Sequence, residues 1–338
     1  MSAHKGNETV VFSTPVSILE TASAVGTKEG EGPLGKLFDR VLEDNMAGEK
    51  SWEAAESALV RDNLSALFKK SGVSPDFIFA GDLQNQCCGT TYGVKDLNIP
   101  LFGIFGACST FGEALALGAM TVDSGAARYA AAAASSHFYS AERQFRFPAE
   151  LGNQRPPTAT YTVTGAGAAM LGKGDGPYIT SFTAGKITDY GINDANNMGA
   201  AMAPAAAACI KAHLEDTGRS AGYYDVIATG DLGRVGTELL LQLLEKDGIN
   251  IEKNHTDCGM EIFDNKSQDT HAGGSGCACS AAVFSALFYR KLKNSSIKRM
   301  LLVPTGALMS TVSVQQGENI LGTAFAVSVE NEVIKWTI

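Results

Sequence analysis

The residues best placed to do chemistry lie in one short turn, Gly106-Ala107-Cys108-Ser109-Thr110, between an apolar run, Leu101 to Phe105, and a helix-length segment, Phe111 to Ser124. A cysteine there stands at a helix N-terminus, where unsatisfied N–H groups and the helix dipole favour the thiolate. Its small neighbours let other groups approach the sulfur. The pattern is that of an exposed nucleophile; the alternative is a cysteine buried as a small hydrophobe. A second turn, Cys277-Ala278-Cys279-Ser280-Ala281, is related to the first, and only one of Cys108 and Cys279 is expected to face a shared pocket. Cys87 and Cys88 are adjacent, and Cys277 and Cys279 are one residue apart, so no zinc ligand set is completed. No metal or other cofactor is expected.

The elements that must hold these turns occur twice. FIFAGDL, Phe77 to Leu83, is echoed by VIATGDL, Val226 to Leu232, and each is followed by an Ala-Cys-Ser turn. Cys108 and Cys279 are 171 apart (279 − 108), as are Arg128 and Arg299, whereas Asp82 and Asp231 are 149 apart (231 − 82). The second copy has therefore gained 22 residues (171 − 149) before its cysteine turn, and the polar stretch Asp264 to Thr270 is the natural place for them. Fixed order and spacing of this kind mark a duplicated fold. The halves are assigned to residues 1–175 and 176–338, with no linker between them and one shared core.

Helix signals precede both Gly-Asp-Leu strands. Ser51 to Ser71 carries Val60, Leu64, Leu67 and Phe68 at helical spacing, with Lys69 and Lys70 in the last turn and Gly72 as the stop. In the second half Ala205 to Thr217 reads as a helix with Pro204 in its first turn, and Gly218 stops it. Strands are predicted at Phe77 to Ala80, Tyr129 to Ser135, Tyr161 to Leu171, Tyr224 to Thr229, Met300 to Thr305 and Ile320 to Val329, with a helix at Ala281 to Lys293. The run Ala130 to Ala134 has helix propensity, but its counterpart in the other half is strand-like, which makes it a strand. Alternating helices and strands predict an α/β fold with a parallel sheet under helical cover.

Composition narrows the function classes. The 338 residues are 45% hydrophobic and 19% charged, ordinary for a compact chain with a large core. No run approaches the length of a membrane helix, and the first residues lack the apolar segment of a signal peptide. Seven cysteines, an odd number, are not a secreted disulfide framework, and a reducing compartment is expected. The net charge of −9, with no long basic run, argues against nucleic acid.

The Gly-Ala-Cys-Ser elbow, the strand Gly165-Ala-Gly-Ala-Ala-Met-Leu171 and the glycine-rich turn His271 to Ser280 together resemble the thiolase and ketoacyl-synthase fold. That resemblance implies a five-layer αβαβα architecture of two pseudo-symmetric halves. In such enzymes the cysteine takes an acyl group, while histidines, or a histidine and an asparagine, from the second half stabilise the oxyanion or move protons. This chain departs there. It has Thr229-Gly230-Asp231-Leu232 where the histidine belongs, and Gly273-Gly274-Ser275 in the turn that carries Asn or His; His271 lies upstream at the wrong spacing.

A narrower resemblance fits these departures. The stretches AGDLQNQ (80–86), FGACST (105–110), SSHFYSAERQFRFPAE (135–150), MGAAMAPAAA (198–207), HLEDTGR (213–219) and AGGSGCACSA (272–281) closely resemble the stage V sporulation protein AD family. The resemblance implies a catalytically degenerate protein that binds dipicolinic acid, pyridine-2,6-dicarboxylate, or its calcium chelate. It further implies work with other stage V sporulation A proteins at the spore inner membrane, in uptake with calcium into the developing spore. A homodimer joined by its sheet edges is expected by analogy with the fold. The family's binding residues correspond to Cys108 and Asp82. For a ligand with two carboxylates and a ring, the helix N-terminus at Cys108 is a candidate for one carboxylate, and Arg143 and Arg146 for the other. Phe145 or Phe147 would cover the ring, and His137 is a further candidate donor. Asp82 is either a direct contact or a turn cap. The competing expectation is an acyltransferase using Cys108 as nucleophile.

Overall fold

The structure is a computed structural model and describes residues 2–145 and 154–332. The first half supplies strands β1 (Thr9–Val25), β2 (Phe77–Gly81), β3 (Leu101–Gly103), β4 (Tyr129–Ser136) and β5 (Gly165–Gly172). The second supplies β6 (Tyr178–Ala184), β7 (Val226–Thr229), β8 (His255–Asp257), β9 (Arg299–Val303) and β10 (Leu321–Glu330). Strand order is β3-β2-β4-β5-β1 in one half and β8-β7-β9-β10-β6 in the other, so adding five to each label maps one half onto the other. Antiparallel pairing of β1 with β6 joins them.

The sheet is mixed, not parallel as expected. Parallel pairs β2–β3, β2–β4, β7–β8 and β7–β9 follow from helical crossovers. The last strand of each half, β5 or β10, runs antiparallel to both neighbours. Helices α1 (Trp52–Ser71) and α2 (Cys88–Val94) cover the first half, and α5 (Met198–Thr217) and α6 (Gly233–Lys246) the second. Between the halves lie α3 (Thr110–Asp123) and α7 (Cys277–Val283), the latter continued through a π-helical turn, Phe284–Phe288, to Lys293. A short helix, α4 (Phe138–Phe145), follows β4.

The central layer explains the alanine run. An added Cβ on Gly118 of α3 would touch Leu171, and one on Gly112 would touch Phe325 and Pro304 of the other half, so α3 is pressed from both sides. Only small side chains on β4 permit that approach, and burial overrides the helix propensity of Ala130 to Ala134. Helix ends follow local chemistry. The Ser51 hydroxyl accepts from the Ala54 N–H, a cap worth about 1 kcal/mol, and Gly72 closes α1 in the left-handed region. In α5, Pro204 sits inside the helix, because the helix starts at Met198 after the Asn197 cap.

The structure also corrects the repeat register. Asp76 and Asp225 make matching backbone contacts to Tyr129 and Arg299, which are 170 apart (299 − 129). The turns agree: Ser109 N–H donates to Gly106 and Cys279 N–H to Gly276. Cys108 is therefore equivalent to Ala278, and Cys279 to Ser109. The insertion is divided. Ile78 pairs with Leu101 and Ile227 with His255, placing five extra residues between the paired strands, and the other 16 lie between β8 and the turn, a stretch that includes the expected segment.

Candidate functional site

The elbow at Cys108 is held by its own side chains. Ser109 Oγ donates to the Gly106 carbonyl at 2.7 Å, and Thr110 Oγ1 donates to that of Ala107 at 2.7 Å while accepting from the Gly106 N–H. Ala107 is left-handed, φ 49°, a conformation costly for a residue with a Cβ. From the other half, the Cys277 thiol donates to the Ala107 carbonyl at 2.9 Å, locking the two turns together.

Cys108 borders a small, partly open cleft of about 60 Å³. The apolar lining comes from Phe105, Leu83, Phe145, Ala141, Met198, Met202, Met309 and Ala307, with Phe145, Met198, Met309 and Ala307 in one packed cluster. The polar lining comes from Cys108, Asp231, Ser275, Thr162 and Glu142. Among the described residues no lysine or arginine lines it. Cys279 is wholly buried in the core, so of the two compared cysteines only Cys108 faces the cleft.

Asp231 is the main electrostatic feature. It follows β7, is 1% exposed, and its Oδ2 accepts from the Gly276 N–H at 2.9 Å. Burial pushes its carboxyl up to about 8, against the pull of its contacts with Cys108 and the Gly276 N–H. The thiol of Cys108 is raised well above its ordinary value, first by burial and then by Asp231 and Cys277. The helix terminus is expected to favour a thiolate; here desolvation of the half-buried sulfur and the neighbouring Asp231 carboxyl outweigh it. Both shifts favour the uncharged forms, a thiol and a carboxylic acid.

The other expected site residues are scattered. Asp82 is fully buried and caps its own turn: its carboxylate accepts from the Gln84 N–H at 2.7 Å and the Thr90 N–H at 2.6 Å. It does not line the cleft. Burial raises both Asp82 and its buried neighbour Glu56, whose carboxyl meets Gln84, Ser135 and Ser140. His137 is also outside the cleft. Its Nε2 lies 2.8 Å from the Asn45 carbonyl, which can only accept, so that nitrogen donates. Burial lowers the His137 pKa, and the ring packs near Trp52. Arg143, 57% exposed in its side chain, pairs with Glu53 of α1 and not with the cleft, because α4 turns it toward α1. Arg146 and Phe147 lie outside the described residues. Phe145 does line the cleft.

Sequence reasoning missed the methionine lining and the role of Asp231. The methionines lie in α5 and near the strand after β9, far apart in sequence. Asp231 does carry a signal, the second Gly-Asp-Leu, but residue type alone marks it as a missing histidine and not as a group facing Cys108.

The model of the stage V sporulation protein AD (SpoVAD) family matches residues 6–330. Stage V sporulation protein AD from Bacillus subtilis (strain 168) is 44% identical over 329 residues, covering 96% of this chain and 97% of that protein. Among solved structures, an OleA variant from Xanthomonas campestris has a TM-score of 0.58 at 13% identity, covering 94% of this chain and 99% of that one. The 3-oxoacyl-(acyl carrier protein) synthase III, FabH, from Pseudomonas aeruginosa PAO1 has a TM-score of 0.55 at 14% identity, covering 95% and 99%. At such identities these two likenesses establish the fold, which is thiolase-like. The sequence matches go further: this chain belongs to the stage V sporulation protein AD family.

Proposed function

We propose that the chain binds dipicolinic acid in the cleft at Cys108 and takes part, with other stage V sporulation A proteins, in its uptake with calcium into the developing spore. The observation that carries this reading is the altered chemistry of the cleft. An enzyme's nucleophile position is kept, yet its cysteine is held as a thiol and faces Asp231 where thiolase-fold enzymes place a histidine. The apolar part of the lining, Phe105, Phe145 and the methionines, suits an aromatic ring, to which polarizable methionine side chains adapt. The Cys108 thiol and the hydroxyls of Ser275 and Thr162 supply donors.

The same reading makes the protein a binding component and not an acyltransferase, peripheral at the spore inner membrane. Among the described residues no helix is long and apolar enough to cross a membrane. Homodimerisation belongs to the proposal as well: β3 is a sheet edge and exposes Phe102.

Calorimetric titration of the purified protein with dipicolinate, with and without calcium, tests it. Binding that weakens in Cys108→Ala supports the assignment, and undiminished binding in that variant overturns the site. Incubation with a panel of acyl-CoA esters followed by intact-mass spectrometry tests the enzymatic alternative. Inertness of Cys108 fits a binding protein, and an acyl adduct on Cys108 favours the transferase.

A further inference from the structure

The cleft presents an anion with an unusual surface. Two carboxyls, Asp231 and Glu142, line it, and no cationic side chain does among the described residues. A carboxylate brought against an ionised, buried Asp231 would meet repulsion in a medium that screens it poorly. The geometry of Asp231 removes that conflict. Its Oδ2 accepts from the Gly276 N–H, Oδ1 is buried without a hydrogen-bond partner, and the one other protein donor beside the carboxyl is the weak Cys108 thiol. A buried carboxylate oxygen without a donor is costly, whereas a carboxylic acid oxygen bearing its own proton is a donor seeking an acceptor.

We propose that Asp231 is a specificity-determining residue that binds as the neutral acid, donating its proton in a hydrogen bond to one carboxylate of the ligand. This deepens the reading of the cleft as a dipicolinate site and rests on it. The ligand class follows from the donor: an aromatic acid whose carboxylate is ionised and whose ring occupies the apolar part of the cleft. Asp231 is faced by Cys108 from the elbow, by Cys277 and Cys279 from α7, by Asp257 and Cys258 at the end of β8, and by Glu142 from α4. The four thiols are raised well above their ordinary value by burial and stay protonated through the range that matters. Burial raises Asp257 as well, and charge on Asp257 pushes Asp231 further toward its neutral form. The sign is then set. A simple carboxylate ligand is ionised throughout, so affinity is full below about pH 8 and falls as Asp231 loses its proton, approaching tenfold per pH unit.

The test is dipicolinate affinity measured from pH 6 to 9.5 on the full chain, with circular dichroism at each pH to establish that the fold persists. The wild type is expected to weaken above pH 8. Asp231→Ala is expected to lose about 10- to 100-fold at pH 7, the scale of one hydrogen bond to a charged group. Asp231→Asn, which keeps an N–H donor but cannot ionise, is expected to flatten the alkaline decline. A wild-type affinity that is constant or rises with pH, or an alkaline decline that survives in Asp231→Asn, overturns the neutral-acid role while leaving the cleft assignment standing. Absence of wild-type binding at every pH overturns the cleft assignment itself, and this inference with it.

Discussion

Gly276 joins the two halves of the site, and Gly276→Ala measures how tightly they are held. Its φ is 98°, a region an L side chain rarely adopts, and forcing alanine there costs about 1–3 kcal/mol. The new methyl would also stand 2.8 Å from Ser136 Oγ and 3.1 Å from Thr162 Cγ2. The hydroxyl cannot swing away freely. It donates to the Val163 carbonyl at 2.7 Å and accepts from the Ala278 N–H at 3.2 Å, so moving it breaks buried hydrogen bonds worth about 0.5–1.5 kcal/mol each. Together these predict a loss of about 2–5 kcal/mol and a melting temperature lower by roughly 5 °C or more. Because the Gly276 N–H also holds Asp231, dipicolinate affinity should fall along with stability. Denaturant unfolding and calorimetric titration measure the two effects, and Ser136→Ala combined with Gly276→Ala separates backbone strain from crowding. If Gly276→Ala melts within a degree of the wild type and binds equally well, the turn is not constrained as argued.

Two further perturbations follow from the buried groups. Because Cys108 is a shielded thiol, iodoacetamide should label it far more slowly than a free cysteine at pH 7.5, as followed by peptide mass spectrometry; labelling at the free-thiol rate would mean an active thiolate. Asp82→Asn should destabilise by about 1–2 kcal/mol, because the amide can accept from only one of the two N–H groups and sets an NH2 against the other, with little direct effect on ligand affinity in the fraction that remains folded. A selective loss of binding at native stability would place Asp82 in the binding site.

The duplicated architecture was legible because strand spacing survives divergence: both Gly-Asp-Leu strands, both turns and the helices after them stand where the repeat put them. The register slipped by one because Cys108 was matched with Cys279 by residue type, while backbone hydrogen bonds match it with Ala278. The antiparallel strands were illegible because periodicity reports burial and not strand direction. Arg143 and His137 have the chemistry of a binding site, but their positions are decided by contacts with Glu53 and Asn45, 90 and 92 residues away in sequence. The second half's helix α5 began earlier than expected because proline was read as a start signal; here the chain accommodates Pro204 inside the helix.

The two Gly-Asp-Leu aspartates show how one scaffold position acquires two roles. In the first half Asp82 is occupied with the N–H groups of Gln84 and Thr90, at the approach to α2. In the second half the corresponding work falls to Asp257, from β8: it accepts from the Leu232 N–H, the Gly233 N–H and the Thr229 hydroxyl, at the start of α6. The strand pairings make Gly103 the first-half counterpart of Asp257, and glycine has no side chain to do this. A cap delivered from β8 thus frees Asp231 from its own turn, and with one oxygen held by Gly276 it is left facing Cys108. The asymmetry that matters for function therefore arises one strand away from the site, where Asp257 in one half stands against Gly103 in the other.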